Sequence, residues 1–192
     1  MPFPQKLDAE LELHPLEAHH AEALFAIVDR DRNYLHRWQN WPDSIRSLGD
    51  MRALVHRMLE KRDANDGIDL VIALAGQVVG KIGLVYIDWS HSRTEIGYWL
   101  AADAQGKGIM TRACRSITSY AFDELHLQTV NIRCAVGNLR SRAIPERLGF
   151  VNEGVLPFKP WLRGSQIEEV LFSMSAEHWR QISTAHLTHP PG

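Results

Sequence analysis

The chain has 192 residues, of which 45% are hydrophobic and 23% are charged. This is the size of one ordinary domain, and the composition is that of a globular protein. The formal net charge of -2 lacks the basic excess typical of nucleic-acid-binding proteins, so no nucleic-acid partner is expected. No apolar run approaches the roughly 20 residues that span a bilayer, and the N-terminal sequence does not resemble a signal peptide. We therefore expect a cytoplasmic protein without a membrane partner.

Taken in chain order, the predicted elements alternate between strands and helices. Alternating apolar residues predict a first strand over 7–13, and helical spacing then predicts two helices. Three segments rich in β-branched residues predict an antiparallel meander, with a hairpin turn at Ala75-Gly76-Gln77. The later predicted elements are a helix over 109–125, a strand over 129–136, a helix over 139–148 that Gly149 ends, and strands over 150–156 and 168–175.

The strand, helix and strand that follow the meander imply a parallel pair joined by a right-handed crossover. The expected fold class is therefore α/β, with a mixed, mostly antiparallel sheet and helices on both faces. One domain over 1–182 would be followed by a polar tail over 183–192, which we expect to be flexible.

The two cysteines and ten histidines show no pattern of metal ligands. Cys114 and Cys134 each lie in an apolar stretch, which favours two reduced thiols in the core. No His-x-x-x-His or Cys/His cluster is present, so no metal site is predicted. Gly-x-Ser-x-Gly is also absent, which disfavours a serine hydrolase.

The loop before the helix at 109 carries the pattern that best indicates a ligand. Gly106 and Gly108 remove side chains where a ligand would approach the backbone. The first turn of the helix offers unpaired N–H groups with partial positive charge. Full positive charges lie nearby on Lys107, Arg112 and Arg115. Together these predict an anion site suited to a diphosphate, although a plain helix start with glycine in its turn has the same pattern.

The same segment differs from the common nucleotide motifs. The P-loop pattern Gly-x-x-x-x-Gly-Lys-Ser/Thr is absent, and Thr111 stands where Gly-x-Gly-x-x-Gly requires its third glycine. ATP and NAD are therefore disfavoured.

Gln105-x-x-Gly108-x-Met110 resembles the Gln/Arg-x-x-Gly-x-Gly/Ala acetyl-CoA motif of the GNAT N-acetyltransferase superfamily, with Met110 in place of the usual small residue. Further segments agree in order and spacing: Glu95–Leu100 with the strand before the motif, Asn138-x-x-Ser141 with the second CoA-contacting segment, and Glu146–Phe150 with the Glu-Lys-x-Gly-Phe turn. The resemblance covers about residues 7–180 and is strongest to the RimL/RimJ-type ribosomal-protein N-terminal acetyltransferases.

The resemblance implies a GNAT-like sheet of seven strands, in which a splayed pair holds CoA, and acetyl-CoA as the cofactor. The cofactor contacts that it implies are Trp99, Leu100, Gln105, Gly106, Lys107, Gly108, Ile109, Met110, Thr111 and Asn138. Backbone N–H groups near Trp99 and Leu100 would polarise the thioester carbonyl. Asn138 would bind the pantetheine amides, or it would be only the N-cap of its helix.

Two side chains are candidates for the proton chemistry. The resemblance makes Glu95 the candidate base, and a strand places Glu95 on the same face as Trp99. Alternatively, Glu95 is a surface residue that pairs with Arg93 or with a neighbouring strand. Ser141, at the start of the helix beside the splayed strands, is the candidate donor to the leaving thiolate. Alternatively, Ser141 only supports that helix start.

The acceptor site is predicted from aromatic residues. In the resembled family the connection between the first two helices covers this site, which suggests a wall formed by Tyr34, Trp38 and Trp41. Trp161, with Phe158 and Arg163, would form the opposite wall. Alternatively, Trp38 and Trp41 only pack the helix connection.

Three functions remain open. The leading hypothesis is transfer of an acetyl group to the N-terminal α-amine of a protein, for example a ribosomal protein. The alternatives are acetylation of a small amine, such as a polyamine, an amino acid or an antibiotic, and a non-catalytic acyl-CoA-binding module. Homodimers are frequent in the resembled family, so a homodimer is expected.

Overall fold

The computed structural model describes residues 3–157, 161–162 and 164–188. Its strands are β1 (Gln5–Lys6), β2 (Leu11–Pro15), β3 (Ile68–Leu74), β4 (Gln77–Asp88), β5 (Arg93–Leu100), β6 (Thr129–Ala135), β7 (Val151–Val155), β8 (Trp161–Leu162), β9 (Ser165–Gln166) and β10 (Glu169–Ser175). Its α-helices are α1 (Ala21–Arg30), α2 (Arg32–Leu35), α3 (Leu48–Asp63), α4 (Ile109–Asp123), α5 (Leu139–Arg147) and α6 (Ala176–Thr188). Short 3₁₀ turns lie at Ala18–His20, Trp41–Ser44 and Ala102–Ala104.

The main sheet has eight strands in the order β1-β2-β3-β4-β5-β6-β10-β7, and β8 pairs with β9 in a separate ribbon. Every neighbouring pair of the main sheet is antiparallel except β5 and β6, which are parallel. The predicted meander and crossover are confirmed. Almost every residue of β3 is buried. Helix α3 packs on β3 and α1 on β4, while α4 packs on β4, β5 and β6.

The N-terminal segment forms two short strands, β1 and β2, where one strand was predicted. This accounts for the additional strand of the main sheet. The alternation over 7–13 predicted one continuous strand, but the Asp8 carboxylate accepts hydrogen bonds from the N–H groups of Glu10 and Leu11, both at 2.8 Å. This local bonding makes a turn instead. The chain therefore folds back, and β1 pairs antiparallel with β2.

Turn residues end the later elements as predicted. Ala75 and Gly76 have φ of 48° and 76°, which a two-residue turn between antiparallel strands requires. Gly149 follows α5 with φ of 79°. Helix α6 extends to Thr188, well into the segment that was expected to be a flexible tail.

One ion-pair cluster lies under α3. Asp69 of β3 is 5% exposed, accepts a hydrogen bond from Lys81 of β4, and lies 2.9 Å from Nζ of Lys61 of α3. Burial raises the pKa of Asp69, but the two ammonium groups outweigh it and hold the pKa below its usual value. The carboxylate therefore links two strands and a helix.

Strands β5 and β6 separate soon after they begin. They pair only from Arg93–Glu95 to Thr129–Asn131, although β5 continues to Leu100 and β6 to Ala135. The gap that opens between them is the splay that the resemblance implied. Helices α4 and α5 begin beside it, and both contribute residues to the cavity that it forms.

Cys114 and Cys134 are both buried and free, as predicted. In the described part of the chain no helix is long and apolar enough to cross a membrane. Among those same residues, no group of three or more His, Cys, Asp or Glu side chains could hold a metal ion.

Candidate active site

A cavity of about 980 Å³ lies where β5 and β6 separate. This is at the upper end of the range for small-molecule sites. It is lined by the end of β5, the loop to α4, the first turns of α4 and α5, and α2 with the turn that follows it. The cavity therefore connects the predicted anion site to the predicted acceptor wall.

The anion site has the backbone geometry that its glycines predict. Gly106 and Gly108 have φ of 74° and 66°, in the left-handed region. A Cβ built on either residue would meet no atom within 4 Å, so both backbones face open space. Gly108 is the N-cap of α4 and supplies no side-chain cap, which leaves the N–H groups of the first turn for a ligand. This cradle fits the diphosphate of CoA.

Most of the predicted segment faces the cavity. The lining includes Gln105, Gly106, Gly108, Ile109, Met110 and Thr111. Met110 is 7% exposed, so its large side chain fills a packed position at the irregular place in the motif. Lys107 is exposed and is not among the lining residues.

The positive charge of the cavity comes partly from residues that the motif did not indicate. Arg140 and Arg147 of α5 line it together with Arg112, which was expected near the anion. Nη1 of Arg140 donates to Oε1 of Gln105 at 2.8 Å, which joins α5 to the loop before α4. Arg115, expected near the anion, instead lies over the ring of Trp179, 5.8 Å from its centroid.

The backbone of β5 presents a donor to the gap. The N–H of Ala101 donates to Val79 at 2.8 Å, on the β4 side, and the carbonyl of Trp99 faces Gly80 of β4. Because successive peptide groups of a strand point in opposite directions, the N–H of Leu100 points away from β4 into the gap. Backbone N–H groups near Trp99 and Leu100 were predicted to polarise the thioester carbonyl, and the one that faces the cavity is therefore that of Leu100.

Asn138 and Ser141 lie together at the start of α5, and both line the cavity. Oδ1 of Asn138 accepts a hydrogen bond from the N–H of Ser141 at 3.2 Å, so Asn138 is the N-cap. Its role toward pantetheine stays a prediction.

Ser141 has two neighbours that sequence reasoning did not identify. Its Oγ lies 3.2 Å from the hydroxyl of Tyr98 and 3.2 Å from Sγ of Cys134. Burial raises the pKa of the Tyr98 phenol well above its usual value, and it also raises the pKa of the Cys134 thiol. Because side chains alternate along a strand, Tyr98 points to the opposite face of the sheet from Trp99. This alternation was the only signal in the sequence that could have indicated Tyr98.

Glu95 lies at the last paired position before the strands separate. Its side chain is 13% exposed and accepts a hydrogen bond from Nε of Arg133 on β6 at 2.8 Å. The bond to Glu95 raises the pKa of Arg133. Burial raises the pKa of Glu169, a second carboxyl on this face of the sheet. Glu95 is not among the lining residues of the cavity. Its role as the base stays a prediction.

The acceptor residues divide into two groups. Tyr34 and Trp38 line the cavity. Trp41 packs on Trp99, with ring centroids 5.7 Å apart, and is not among the lining residues. Phe158 and Arg163 lie outside the described residues, and at Trp161 only the backbone is described.

Comparisons with known proteins agree with this geometry. The putative ribosomal N-acetyltransferase YdaF of Bacillus subtilis is 33% identical over 92% of this chain and 97% of its own. The ribosomal-protein-serine acetyltransferase of Escherichia coli is 28% identical over 79% of this chain and 84% of its own. The crystal structure of the microcin C7 self-immunity acetyltransferase MccE, in complex with acetyl-CoA and AMP, superposes with a TM-score of 0.85 at 26% identity, over 91% of this chain and 97% of that one.

The family model for the acetyltransferase (GNAT) domain matches residues 10–151, from the second strand to the start of β7. That range contains the splayed strands, the glycine cradle and the Asn138–Ser141 segment. The cavity fits acetyl-CoA, the acyl donor of such enzymes. The chain therefore belongs to the GNAT family and is an N-acetyltransferase that uses acetyl-CoA.

Proposed function

We propose that this enzyme acetylates the N-terminal α-amine of a protein, with a ribosomal protein as the first candidate. The observation that carries the proposal is the single cavity that joins the cradle at Gly108 to Ser141 and to the aromatic side chains of Tyr34 and Trp38. An extended peptide N-terminus could enter along such an aromatic wall. The two curated relatives described above, both named for ribosomal substrates, support this acceptor class.

The proposed chemistry uses groups around the gap. The N–H of Leu100 donates to the thioester carbonyl oxygen as it gains negative charge. Glu95 takes a proton from the acceptor ammonium, directly or through water, and the amine nitrogen then attacks the carbonyl carbon. Ser141 donates a hydrogen bond to the sulfur that leaves with the electron pair of the broken C–S bond, and the second proton that the nitrogen loses ends on that sulfur. Asn138 holds the pantetheine amides. The net products are an amide, a thiol and one proton.

The test is an acetyl-CoA consumption assay over a panel of acceptors. We expect turnover with peptides that begin with Ser or Ala, and none with the same peptides after their N-terminus has been blocked. Polyamines, amino acids and aminoglycosides form the other arm of the panel. Rapid turnover of one of these small amines, with no turnover of any free peptide, would contradict the proposed acceptor.

A small-molecule acceptor is the second candidate. Glu95 and Glu169 lie on the same sheet face as the single guanidinium of Arg133 between them. This face of the sheet therefore carries two carboxyl groups and one guanidinium, which suits a cationic amine, whereas the charged side chains that line the cavity itself are arginines. MccE, whose crystal structure contains acetyl-CoA and AMP, is a structural relative named for self-immunity to microcin C7 rather than for a ribosomal protein.

Replacing the two candidate groups should reduce kcat. Glu95→Gln removes the base, and we expect kcat to fall by about 100-fold or more. Ser141→Ala removes a hydrogen bond to a developing charge, which corresponds to a loss of about 10- to 100-fold. CoA affinity, measured by calorimetry, should stay within about twofold of the wild-type value in both. It should also do so in the control Ser116→Ala, which lies two turns along α4 from Ile109 and donates a hydrogen bond to Gln5.

Two results of that experiment would be decisive. Full activity in Glu95→Gln would show that its ion pair with Arg133 is structural only. CoA binding without turnover of any acceptor in the panel, by the wild-type protein itself, would instead mean that the acceptor lies outside both classes tested.

The proposal also includes a cytoplasmic homodimer. Large apolar side chains are exposed on α5 and on the edge strand β7, namely Leu139 at 70%, Val151 at 52% and Val155 at 54%. Sedimentation of the purified protein as a monomer would contradict the homodimer.

A further inference from the structure

Tyr98 connects β5 to the first turn of α5 across the gap. It lies on the part of β5 that β6 no longer pairs with, and its hydroxyl lies 3.1 Å from the carbonyl oxygen of Ser141. The same hydroxyl lies 3.2 Å from Oγ of Ser141. Both Tyr98 and Ser141 line the cavity. One phenol therefore has two acceptors, at nearly equal distances, on a single residue.

The carbonyl of Ser141 is available to Tyr98 for a reason that the sequence contains. In an α-helix this carbonyl would accept a hydrogen bond from the N–H of the residue four positions later. That residue is Pro145, which lies inside α5 and has no N–H. A buried carbonyl without a donor is unfavourable, and the hydroxyl of Tyr98 supplies the missing hydrogen bond.

The direction of these hydrogen bonds limits what Ser141 can do. A serine hydroxyl has one hydrogen and two acceptor lone pairs. While Tyr98 donates to the carbonyl, Ser141 donates its hydrogen to the oxygen of Tyr98. In that arrangement the hydrogen of Ser141 does not point to the sulfur of the acyl donor.

We propose that Tyr98 is a positioning residue for Ser141. The O–H of Tyr98 turns from the carbonyl of Ser141 to its Oγ and so directs the serine hydrogen to the departing sulfur. The inference rests on the proposed role of Ser141. Only rotations about the C–O bonds of Tyr98 and Ser141 are needed, because both acceptors of the Tyr98 hydroxyl already lie within hydrogen-bond distance, at 3.1 and 3.2 Å. No proton leaves Tyr98, and no covalent bond of the protein changes.

Cys134 supports this arrangement from β6. Its Sγ lies 3.2 Å from Oγ of Ser141, so a second hydrogen-bond donor contacts the same oxygen. Since burial raises the pKa of both Tyr98 and Cys134, each keeps its hydrogen near neutral pH. Ser141 is thus surrounded by neutral donors, which favours a hydroxyl that donates outward.

The first test is a double-mutant cycle between Tyr98→Phe and Ser141→Ala. Tyr98→Phe keeps the ring and removes one hydrogen bond, so kcat should fall about three- to tenfold with KM for acetyl-CoA unchanged. Because Tyr98 acts through Ser141, adding Tyr98→Phe to Ser141→Ala should lower kcat by less than a further twofold. The control is Tyr120→Phe, a tyrosine of α4 that packs on Phe3.

The second test separates positioning from simple support of α5. Pro145→Ala returns an N–H to the Ser141 carbonyl, so in that background the carbonyl no longer needs Tyr98. If Tyr98 positions Ser141, Tyr98→Phe should lower kcat by the same factor in the Pro145→Ala background, while its effect on Tm becomes smaller. Loss of the kcat effect in that background would mean that Tyr98 only satisfies the carbonyl.

The remaining outcomes also distinguish the two proposals. Full kcat in Ser141→Ala would remove the role of Ser141 itself. The inference about Tyr98 alone would be overturned if Ser141→Ala lowers kcat as expected but Tyr98→Phe keeps full kcat. It would also be overturned if the losses of the two single variants multiply in the double variant. If Tyr98→Phe does not fold, the same cycle is run with Cys134→Ala, for which independent losses would also count against the arrangement.

Discussion

Replacing Gly108 by valine is expected to weaken CoA binding by about 100-fold, the effect of losing two hydrogen bonds to a charged phosphate. A Cβ at this position points into open space in the cradle, where the diphosphate would approach the first turn of α4. A β-branched residue is also strained at φ of 66°. Calorimetric titration with CoA measures the change in affinity, and thermal unfolding measures the strain.

Gly76→Val is the matched control. Gly76 has φ of 76° and also has no atom within 4 Å of a built Cβ, but it lies in the turn between β3 and β4, away from the cavity. Both variants should lose stability, and only Gly108→Val should lose affinity for CoA. Equal affinity in both variants would refute the cradle.

Asp69→Asn is expected to lower the free energy of unfolding by about 3 kcal/mol, because it leaves two buried or half-buried ammonium groups without their counter-charge. Lys61 and Lys81 have side chains that are 25% and 14% exposed, so water solvates them only in part. Urea unfolding at pH 7 measures the difference. Asp63→Asn, at an exposed pair with Arg62, should change stability by less than about 0.5 kcal/mol.

The effect of Asp69 should depend on pH in one direction. Its pKa is lower in the folded state than in the unfolded chain, so its contribution is complete above the unfolded value of about 4. The contribution is lost as the pH falls through the folded pKa. The stability difference between the wild-type protein and Asp69→Asn should therefore be largest near neutral pH and shrink in acid; a difference that grows in acid would contradict this account.

Local patterns predicted the parts of the site that depend on the backbone of one segment. Gly106, Gly108 and the start of α4 form the cradle in the order in which they occur, because a glycine turn and a helix N-terminus are properties of adjacent residues. Asn138 caps α5 for the same reason. The prediction of the first strand was wrong because the Asp8 carboxylate accepts hydrogen bonds from the N–H groups of Glu10 and Leu11. The alternation of apolar residues does not indicate such local competition for backbone hydrogen bonds.

The sequence did not predict the side-chain contacts around the gap between β5 and β6. The sequence made Glu95 the candidate base, but its partner Arg133 depends on the register of two strands, since the two residues are 38 positions apart. The predicted acceptor wall also depends on packing. Only the folded structure turns Tyr34 and Trp38 toward the cavity and Trp41 toward Trp99.

The order of strands and helices and the glycine cradle were thus determined by the sequence itself, because each depends on periodicity or on residues that are neighbours in the chain. The acyl donor followed from the resemblance of several separate motifs to those of the GNAT superfamily. Tertiary structure alone decided where β5 and β6 separate, and so which side chains face the cavity. It also brought Tyr98 and Cys134 to Ser141, with the proline of α5 leaving a carbonyl for Tyr98. Such contacts join three separate elements, and their distances follow from how the sheet and helices pack rather than from any one segment.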